Sequence, residues 1–284
     1  MKKKFKLLLL LIFMLGPVVV FASENYVNYY GIEMNEEEYA NLLGLGFTED
    51  EIYHMESEEF NANKDIESSL EAVSTKYYVS TSRYDSLGRV IFSNTTEVSE
   101  AEYNDSSIMT RNGTAEIETA YKRMTTTISQ AGTKYRYKVT LTWKQMPKVR
   151  SYDIIGIGLE PALVYRNSSL VFNQTYCISN NCTNTATYSM ANYSTAGAGV
   201  SFKLPTSTSI TGLRSYFYYD VSKEYDGTLT VMYADGDYAH ATSSITAGNA
   251  TGFYVNQVGI MLDSGIASYY DSISSAEAEW NGSW

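Results

Sequence analysis

The sequence predicts a mainly β protein, an antiparallel β-sandwich of the jelly-roll or immunoglobulin-like kind, preceded by a small α-helical module. Residues 134–143 alternate strictly between apolar or aromatic and polar side chains, which is the period of a strand with one buried face. Many short segments rich in Thr, Ser, Tyr and Val follow, with turn signals between them. From Asn35 to about Thr75 the composition is acidic, and apolar residues recur at helical spacing. We therefore expect one helical region and one larger β region.

The alternating strand is predicted to be the second half of a central hairpin. Gly132 can supply the positive φ of a tight turn, which we place at Ala131-Gly132, so that Ile128 lies opposite Tyr135. Lys138 and Thr140 fall on the more polar face, opposite the core. The apolar phase of the preceding strand changes near 122–123, which predicts a β-bulge there. The residues expected to share the buried face are Tyr135, Tyr137, Val139, Leu141 and Trp143.

Residues 1–22 have the form of a secretory signal peptide. Four lysines precede an apolar run from Leu7 to Phe21, and the small or branched residues before Ser23 suit cleavage at that point. Pro17 interrupts the run, which argues against an uncleaved membrane anchor. The sequence therefore predicts a secreted, extracellular protein.

Residues 23–34 form an N-terminal segment, and residues 35–75 are predicted to form an acidic module of three short helices. Capping boxes at Asn35–Glu38 and Thr48–Glu51 mark the starts of the first two. The third is expected to run from Ser57 to Val73 along an apolar stripe. We interpret this module as a cap or as a partner-docking element.

Residues 76–284 are predicted to form the β-sandwich domain. Its candidate strands include 100–109 and 237–246, and an Asp-Gly pair at 235–236 predicts a turn. A short helix is expected at the C-terminal end, from Ile266 to Trp280.

The charge of the chain limits the classes of partner. It contains 32 acidic and 21 basic residues, a formal net charge of −11 at pH 7. Four of the lysines lie in the leader, so its removal leaves a still more acidic protein. Such a protein repels nucleic acid and anionic membranes. We expect a protein or glycan partner and no nucleic acid, with a membrane partner only for a membrane-damaging protein.

Cys177 and Cys182 are the only cysteines, and four residues separate them. In an exported chain an even cysteine count favours a disulfide. Ser179 to Asn181 is typical of a hairpin tip, so we predict that the bond joins two strand ends. A redox or metal-binding role for the pair is the alternative.

His240 is the best candidate for a functional side chain, because it follows the Asp235-Gly236-Asp237 turn signal. No Gly-x-Ser-x-Gly, His-Glu-x-x-His or phosphate-loop motif is present, so no catalytic residue, cofactor or metal ligand is predicted. Asp235 and Asp237 are compatible with a calcium site, although the EF-hand spacing is missing and a solvated turn is favoured. The other histidine, His54, is expected on a solvated helix face.

Tyr216 and Tyr218 belong to a strand that carries aromatic residues on both faces. One face must then lie outside the sandwich core, unless a second layer covers it. Stacking against a sugar ring is one use for these rings. Packing beneath the helical module is the other, and we favour it.

Three stretches of the sequence resemble uncharacterised secreted proteins of Gram-positive bacteria. They are Glu37-Glu38-Tyr39 through Glu51-Ile52, Met146 through Ile154, and Asp237 through Ala241. The resemblance implies a bacterial, exported protein. It carries no activity, cofactor or site that can be transferred.

The leading functional hypothesis is a secreted, non-catalytic β-sandwich that acts by binding or as a surface or structural protein, and an enzyme is not favoured. One alternative is a pore-forming or membrane-damaging toxin, because the Ser/Thr-rich residues 242–246 resemble segments that insert as barrel strands. A second alternative is a glycan-binding module or glycosidase that uses surface aromatic rings.

Overall fold

The computed structural model describes residues 25–105 and 117–284, and the predicted signal peptide lies outside these ranges. The predicted fold class is confirmed. Two antiparallel sheets pack face to face; within the described ranges, three short helices precede them in the sequence, and a fourth lies within the β region. The helices of the described residues are α1 (Glu36–Gly44), α2 (Glu49–Tyr53), α3 (Ser57–Asn63) and α4 (Glu100–Asn104).

The larger sheet, here called the first sheet, contains the predicted central hairpin. All of its strand pairs are antiparallel. Its strands, in spatial order, are β10 (Asn181–Thr185), β9 (Val171–Ile178), β13 (Gly212–Lys223), β6 (Lys134–Trp143), β5 (Ile117–Ala131), β3 (Ser68–Tyr84) and β4 (Val90–Val98), with the short β8 (Leu163–Tyr165) also paired to β13.

The second sheet is also antiparallel. Two small hairpins lie outside the two main sheets: β1 (Tyr26–Val27) pairs with β2 (Glu33–Met34), and β15 (Phe253–Asn256) pairs with β16 (Gly259–Leu262). The strands of the second sheet, in spatial order, are β11 (Met190–Ser194), β12 (Gly197–Lys203), β7 (Tyr152–Leu159), β14 (Val231–Ala239) and β17 (Ser274–Asn281).

The main core lies between the two sheets, where alternate residues of facing strands interdigitate. The five residues of β6 predicted to share a buried face all belong to it, from Tyr135 to Trp143. Phe217 and Tyr219 from β13 and Ile155 and Ile157 from β7 pack in the same cluster. The predicted buried face of β6 is confirmed.

The outer face of the first sheet is not the solvated face that the alternation predicted. Helices α1 to α3 cover it, and Phe47 and Ile52 pack there against Tyr216 and Tyr218. Lys138, expected on a polar surface, is buried. At β6 and β13 both faces of this sheet are therefore packed. The packing of Tyr216 and Tyr218 beneath the helical module agrees with the favoured interpretation, whereas the polar surface expected at Lys138 is wrong.

The hairpin register differs from the prediction by two residues. The turn is Gly132-Thr133, with Gly132 at φ +60°, and Ile128 pairs with Tyr137 where Tyr135 had been expected. A shift of two residues keeps every side chain on its predicted face. No bulge occurs near 122–123: β5 runs in register there, and Lys122 points into the sandwich core.

The third predicted helix is too long. It ends at Asn63, and β3 begins at Ser68, so Leu70 and Val73 lie on a strand and are exposed. The strand predicted at 100–109 is wrong for its first half, where α4 lies, and residues 106–109 are outside the described part.

The predicted C-terminal helix is also wrong. Residues Ser274–Asn281 form β17, in which buried and exposed residues alternate. Ala276, Ala278 and Trp280 enter the main core with glutamates between them, which is a period of two. The helix had been predicted from the spacing of aromatic and apolar residues in this segment, but that spacing does not form the apolar face of a helix.

The predicted turn at Asp235-Gly236 is wrong, because both residues lie inside β14. A Cβ at position 236 would lie 2.1 Å from Thr126 Oγ1 and 2.9 Å from Val139 Cγ2 of the first sheet. Glycine is therefore needed there for close approach of the sheets. β14 ends at Ala239, so the strand predicted at 237–246 is too long as well.

Candidate functional site

His240 lies directly after β14 and is buried. Its Nδ1 is 3.1 and 3.0 Å from the two carboxylate oxygens of Asp153 on the neighbouring strand β7. The backbone N–H of Ala241 donates to Asp153 Oδ1 over 2.9 Å, and the hydroxyl of Tyr238 donates to Oδ2. The buried carboxylate of Asp153 thus accepts from three donors, as a buried charge requires.

The chain of hydrogen bonds continues into the core. Trp143 Nε1 donates to the hydroxyl oxygen of Tyr238 over 3.2 Å, and the Trp143 and His240 rings lie edge to face at 5.2 Å. Burial, followed by the charge of Asp153, raises the pKa of Tyr238 well above its ordinary value. Tyr238 therefore serves as a neutral donor.

Lys122 lies beside this network with its whole side chain buried. Its Nζ is 5.3 Å from the ring centre of Trp143 and 5.2 Å from that of Tyr238. Among the described residues no hydrogen-bond acceptor contacts this amine. Burial lowers the pKa of Lys122 to about 8, against the opposing attraction of Asp271 and Asp153.

A cavity of about 10 Å³ lies beside His240, lined by Ser80, Ser82, Tyr84, Glu118, Ala120, Pro147, Val149, His240 and Thr242. This volume corresponds to about one water molecule. Among the described residues no serine or threonine hydroxyl is hydrogen-bonded to His240, so the paired nucleophile and base of nucleophilic catalysis are not assembled there. The Asp153–His240 pair therefore cross-links β7 to the end of β14.

Asp235 and Asp237 lie on the outer face of the second sheet and not at a hairpin tip. Asp237 Oδ2 accepts from the backbone N–H of Ile260 over 2.7 Å, and Oδ1 accepts from Ser275 Oγ over 2.5 Å. Burial raises the pKa of Asp237 to about 7 and that of Asp235 to about 6. The bonds of Asp237 join the β15–β16 hairpin to the second sheet.

Tyr216 and Tyr218 lie beneath the helices, and neither ring is exposed. The ring of Phe47 packs edge to face on both, with centroids 5.9 and 5.7 Å away. The Tyr216 hydroxyl donates to Glu59, and Asn63 Nδ2 lies 3.3 Å from the hydroxyl oxygen of Tyr218. These rings therefore have no surface on which a sugar can stack.

Lys138 is the centre of an ionic cluster that fixes the helices to the first sheet. Its three ammonium protons have three acceptors: Gly46 O at 3.1 Å, Glu51 Oε2 at 2.7 Å and Thr140 Oγ1 at 2.7 Å. Glu51 also closes the capping box of α2 by accepting from the backbone N–H of Thr48. The capping residue predicted from the sequence thus has a second role at the helix–sheet interface.

The predicted disulfide is confirmed. Cys177 and Cys182 are bonded and face each other across the β9–β10 hairpin. His54 is only partly exposed and not fully solvated; its ring and the two sulfur atoms lie within 4.8 Å of one another. Asn184 Nδ2 donates to the carbonyl oxygen of His54 over 2.5 Å. The hairpin tip therefore packs against the helices.

A groove of about 430 Å³ lies between the β1–β2 hairpin and helices α1 and α2, and we call it the tyrosine groove. Its volume is in the range of ligand sites in proteins. Asn28 anchors the hairpin, since its Nδ2 donates to Met55 O over 2.7 Å and its Oδ1 accepts from the backbone N–H groups of Tyr30 and Ile32. The lining residues are Tyr26, Val27, Asn28, Met34, Tyr39, Glu49, Asp50, Ile52 and Tyr53.

This groove was not predicted from the sequence. The available signal was five tyrosines between residues 26 and 53, in a stretch otherwise rich in acids. Several of these rings are substantially exposed, among them Tyr26, Tyr30 and Tyr53 at 36%, 41% and 49%. An exposed cluster of large aromatic rings is typical of interaction sites.

No protein-family model and no curated protein matches the chain. Among solved structures, the collagen-binding domain of Erysipelothrix rhusiopathiae surface protein RspB is similar at 10% identity and a TM-score of 0.26, over 56% of this chain and 62% of that one. The full-length major pilin SpaD from Corynebacterium diphtheriae is similar at 10% identity and a TM-score of 0.29, over 72% and 59%. The chain therefore spans less than two thirds of the length of either structure. In the described part of the chain, no helix is long and apolar enough to cross a membrane.

Proposed function

We propose that this chain is an exported, non-catalytic binding protein whose β-sandwich supports a helical module that presents the tyrosine groove to a partner. The observation that carries the proposal is the contrast between two sites. The groove offers about 430 Å³ and exposed aromatic rings, whereas the cavity beside His240 offers about 10 Å³. Of these two sites, only the groove has room for a side chain of a partner.

Rigidity of the support favours the same function. The helices that line the groove are held to the first sheet by the Lys138–Glu51 pair and by the packing of Phe47 on Tyr216 and Tyr218. A site that is organised before binding loses less conformational entropy when its partner arrives.

An array of extracellular proteins and glycans tests the proposal. We expect the wild-type protein to bind at least one member and the Tyr26→Leu/Tyr53→Leu variant to lose that binding. Tyr254→Leu is the matched control, because Tyr254 is 46% exposed on β15 and does not line the groove.

Two results would overturn the proposal. One is binding that survives in the groove variant and is lost in the Tyr254→Leu control. The other is turnover of a peptide, ester or glycan substrate that disappears in a folded His240→Asn variant.

A further inference from the structure

We propose that the tyrosine groove takes arginine side chains from a basic segment of a partner protein. This inference rests on the proposed binding function and names the chemistry of the partner. Three properties of the groove carry it: flat aromatic walls, an apolar floor and uncompensated negative charge.

The walls are tyrosine rings with exposed faces. Tyr26 stacks on Tyr39 with ring centres 4.0 Å apart and planes within 7° of parallel, and Tyr53 stands nearby, packed edge to face on Tyr29 at 6.1 Å. A guanidinium group is planar and stacks on such faces, where the ring quadrupole attracts the cation.

The floor is apolar. Met34 and Ile52 line the groove and are otherwise buried in the core beneath the helices, and Val27 is exposed at its edge. An arginine side chain has an aliphatic stem before its charged head. The stem can cover the floor while the head reaches the aromatic walls and the acidic edge.

The charge of the groove is negative and only partly neutralised. Asp50 is already paired with Arg214, but Glu49 has no ion-pair partner among the described residues. Between residues 25 and 67 the sequence holds twelve acidic residues and one lysine. That lysine, Lys64, is bound by Glu38 and Asp65. The module therefore attracts cations from a distance and leaves Glu49 free to pair with one.

Other ligands match fewer of the three properties of the groove, which are its aromatic walls, its apolar floor and its negative charge. An acidic peptide is repelled, and a neutral glycan can stack on tyrosine but does not compensate Glu49. Lysine carries a compact and strongly hydrated charge that stacks less well than a guanidinium. Arginine matches the walls, the floor and the edge together.

Fluorescence anisotropy with labelled nona-arginine and nona-lysine peptides tests the inference on the full mature chain. We expect nona-arginine to bind more tightly than nona-lysine. Tyr26→Leu/Tyr53→Leu should weaken nona-arginine binding about tenfold, because two cation–π contacts of about 0.5–1 kcal/mol each are lost. Tyr254→Leu should leave the affinity unchanged.

A pair of charge-neutralising variants separates the groove from general acidity. The loss of nona-arginine affinity caused by Glu49→Gln should be several times the loss caused by Glu37→Gln. The control removes the same charge from an exposed residue of α1 outside the groove. Equal effects of these two variants with no effect of the tyrosine double variant would mean diffuse electrostatic binding and would overturn the inference. Equal affinities for both peptides would overturn the preference for arginine.

The same experiments distinguish the failure of this inference from the failure of the proposed function. If the extracellular array shows groove-dependent binding while nona-arginine does not bind, the binding function stands and the arginine inference is wrong. If neither the array nor the peptide shows groove-dependent binding, both are wrong.

Discussion

Lys138 and Lys122 lie on opposite faces of the same β5–β6 hairpin, and both are buried, but their surroundings differ. Lys138, on the outer face, has three hydrogen-bond acceptors, one of them the carboxylate of Glu51. Lys122, on the inner face, has none among the described residues and lies between the rings of Trp143 and Tyr238. A compensated charge can hold two layers together, whereas an uncompensated one is a cost to the fold. The outer face is thus an interface with the helices, and the inner face is a core that contains a buried amine without a hydrogen-bond acceptor.

The largest loss of stability is expected from Lys138→Met. The variant leaves the carboxylate of Glu51 buried without its ammonium partner, and breaking a buried pair in this way typically costs about 3–5 kcal/mol. The free energy of unfolding, measured in urea, should fall by that amount. Lys134→Met is the control, since Lys134 opens the same strand and is exposed, and a similar loss there would contradict the assignment of the outer face as an interface.

The second largest loss of stability is expected from Leu141→Ala on the inner face. Leu141 is completely buried in the main core, and truncation of such a leucine typically costs about 2–5 kcal/mol through lost burial and the cavity left behind. Denaturant unfolding measures this cost. Leu87→Ala, at a residue 75% exposed in the β3–β4 turn, should change stability by less than about 0.5 kcal/mol. If the two variants unfold at the same denaturant concentration, the placement of the core is wrong.

Reduction of the disulfide should have a smaller effect. The bond closes a loop whose ends are five residues apart, and a loop this short contributes about 2 kcal/mol in the chain-entropy model. Intact mass before and after alkylation without reductant should show no free thiol, and unfolding with and without reductant should differ by the stated amount. Alkylation of both cysteines without reductant would contradict the bond.

Stability should fall as the pH rises from about 4 to about 7. Burial raises the pKa of Asp237 and Glu160 to about 7 and that of Asp235 to about 6. A raised folded-state pKa favours the folded state below the unfolded pKa, and that contribution is lost as the pH passes the folded value. The unfolding midpoint should therefore be higher at pH 5 than at pH 8.

Asp237→Asn isolates one part of this pH dependence. The amide oxygen can still accept from Ile260 N–H, but it does not ionise, so the variant should lose less stability than the wild type between pH 5 and pH 8. Asp263→Asn, at an exposed carboxyl, is the control. An identical pH profile for Asp237→Asn and the wild type would show that burial does not raise the pKa of Asp237.

The smallest effect on stability at neutral pH is expected from Lys122→Met. The amine has no hydrogen bond to lose, and a methionine of similar volume suits the apolar surroundings, so stability should stay level or rise. The wild-type protein should also gain stability between about pH 8 and pH 10.5, because the unfolded lysine binds a proton there while the folded one, with its pKa near 8, does not. Lys122→Met should reduce that rise by the contribution of this one lysine.

The sequence predicted those elements that a local pattern determines. The period of two in β6, the two capping boxes and the hairpin of Cys177 and Cys182 are all present in the structure. Each depends on residues within about ten positions of one another. Such patterns specify which face of an element is buried, but not what lies against the other face.

The predictions are wrong where a residue is required by a contact with residues far away in the sequence. Gly236 suggested a turn, but it is required because Thr126 of the other sheet approaches its backbone. The change of apolar phase near 122–123 suggested a bulge, but the strand is regular there and Lys122 occupies a buried position. The partner of His240, Asp153, is 87 residues away, so no spacing rule could have paired them. The tyrosine groove could have been predicted from the sequence, because five tyrosines, three of which line the groove, lie within a stretch of 28 residues.

The most direct test of the account is the same substitution at both lysines of the hairpin. Lys138→Met and Lys122→Met remove the same charge from the two faces of one pair of strands, and urea unfolding at pH 7 gives the stability of each. We expect Lys138→Met to lose about 3–5 kcal/mol and Lys122→Met to lose nothing. Equal losses in the two variants would contradict the claim that the outer face is an ionic interface that holds the groove-bearing helices to the sheet.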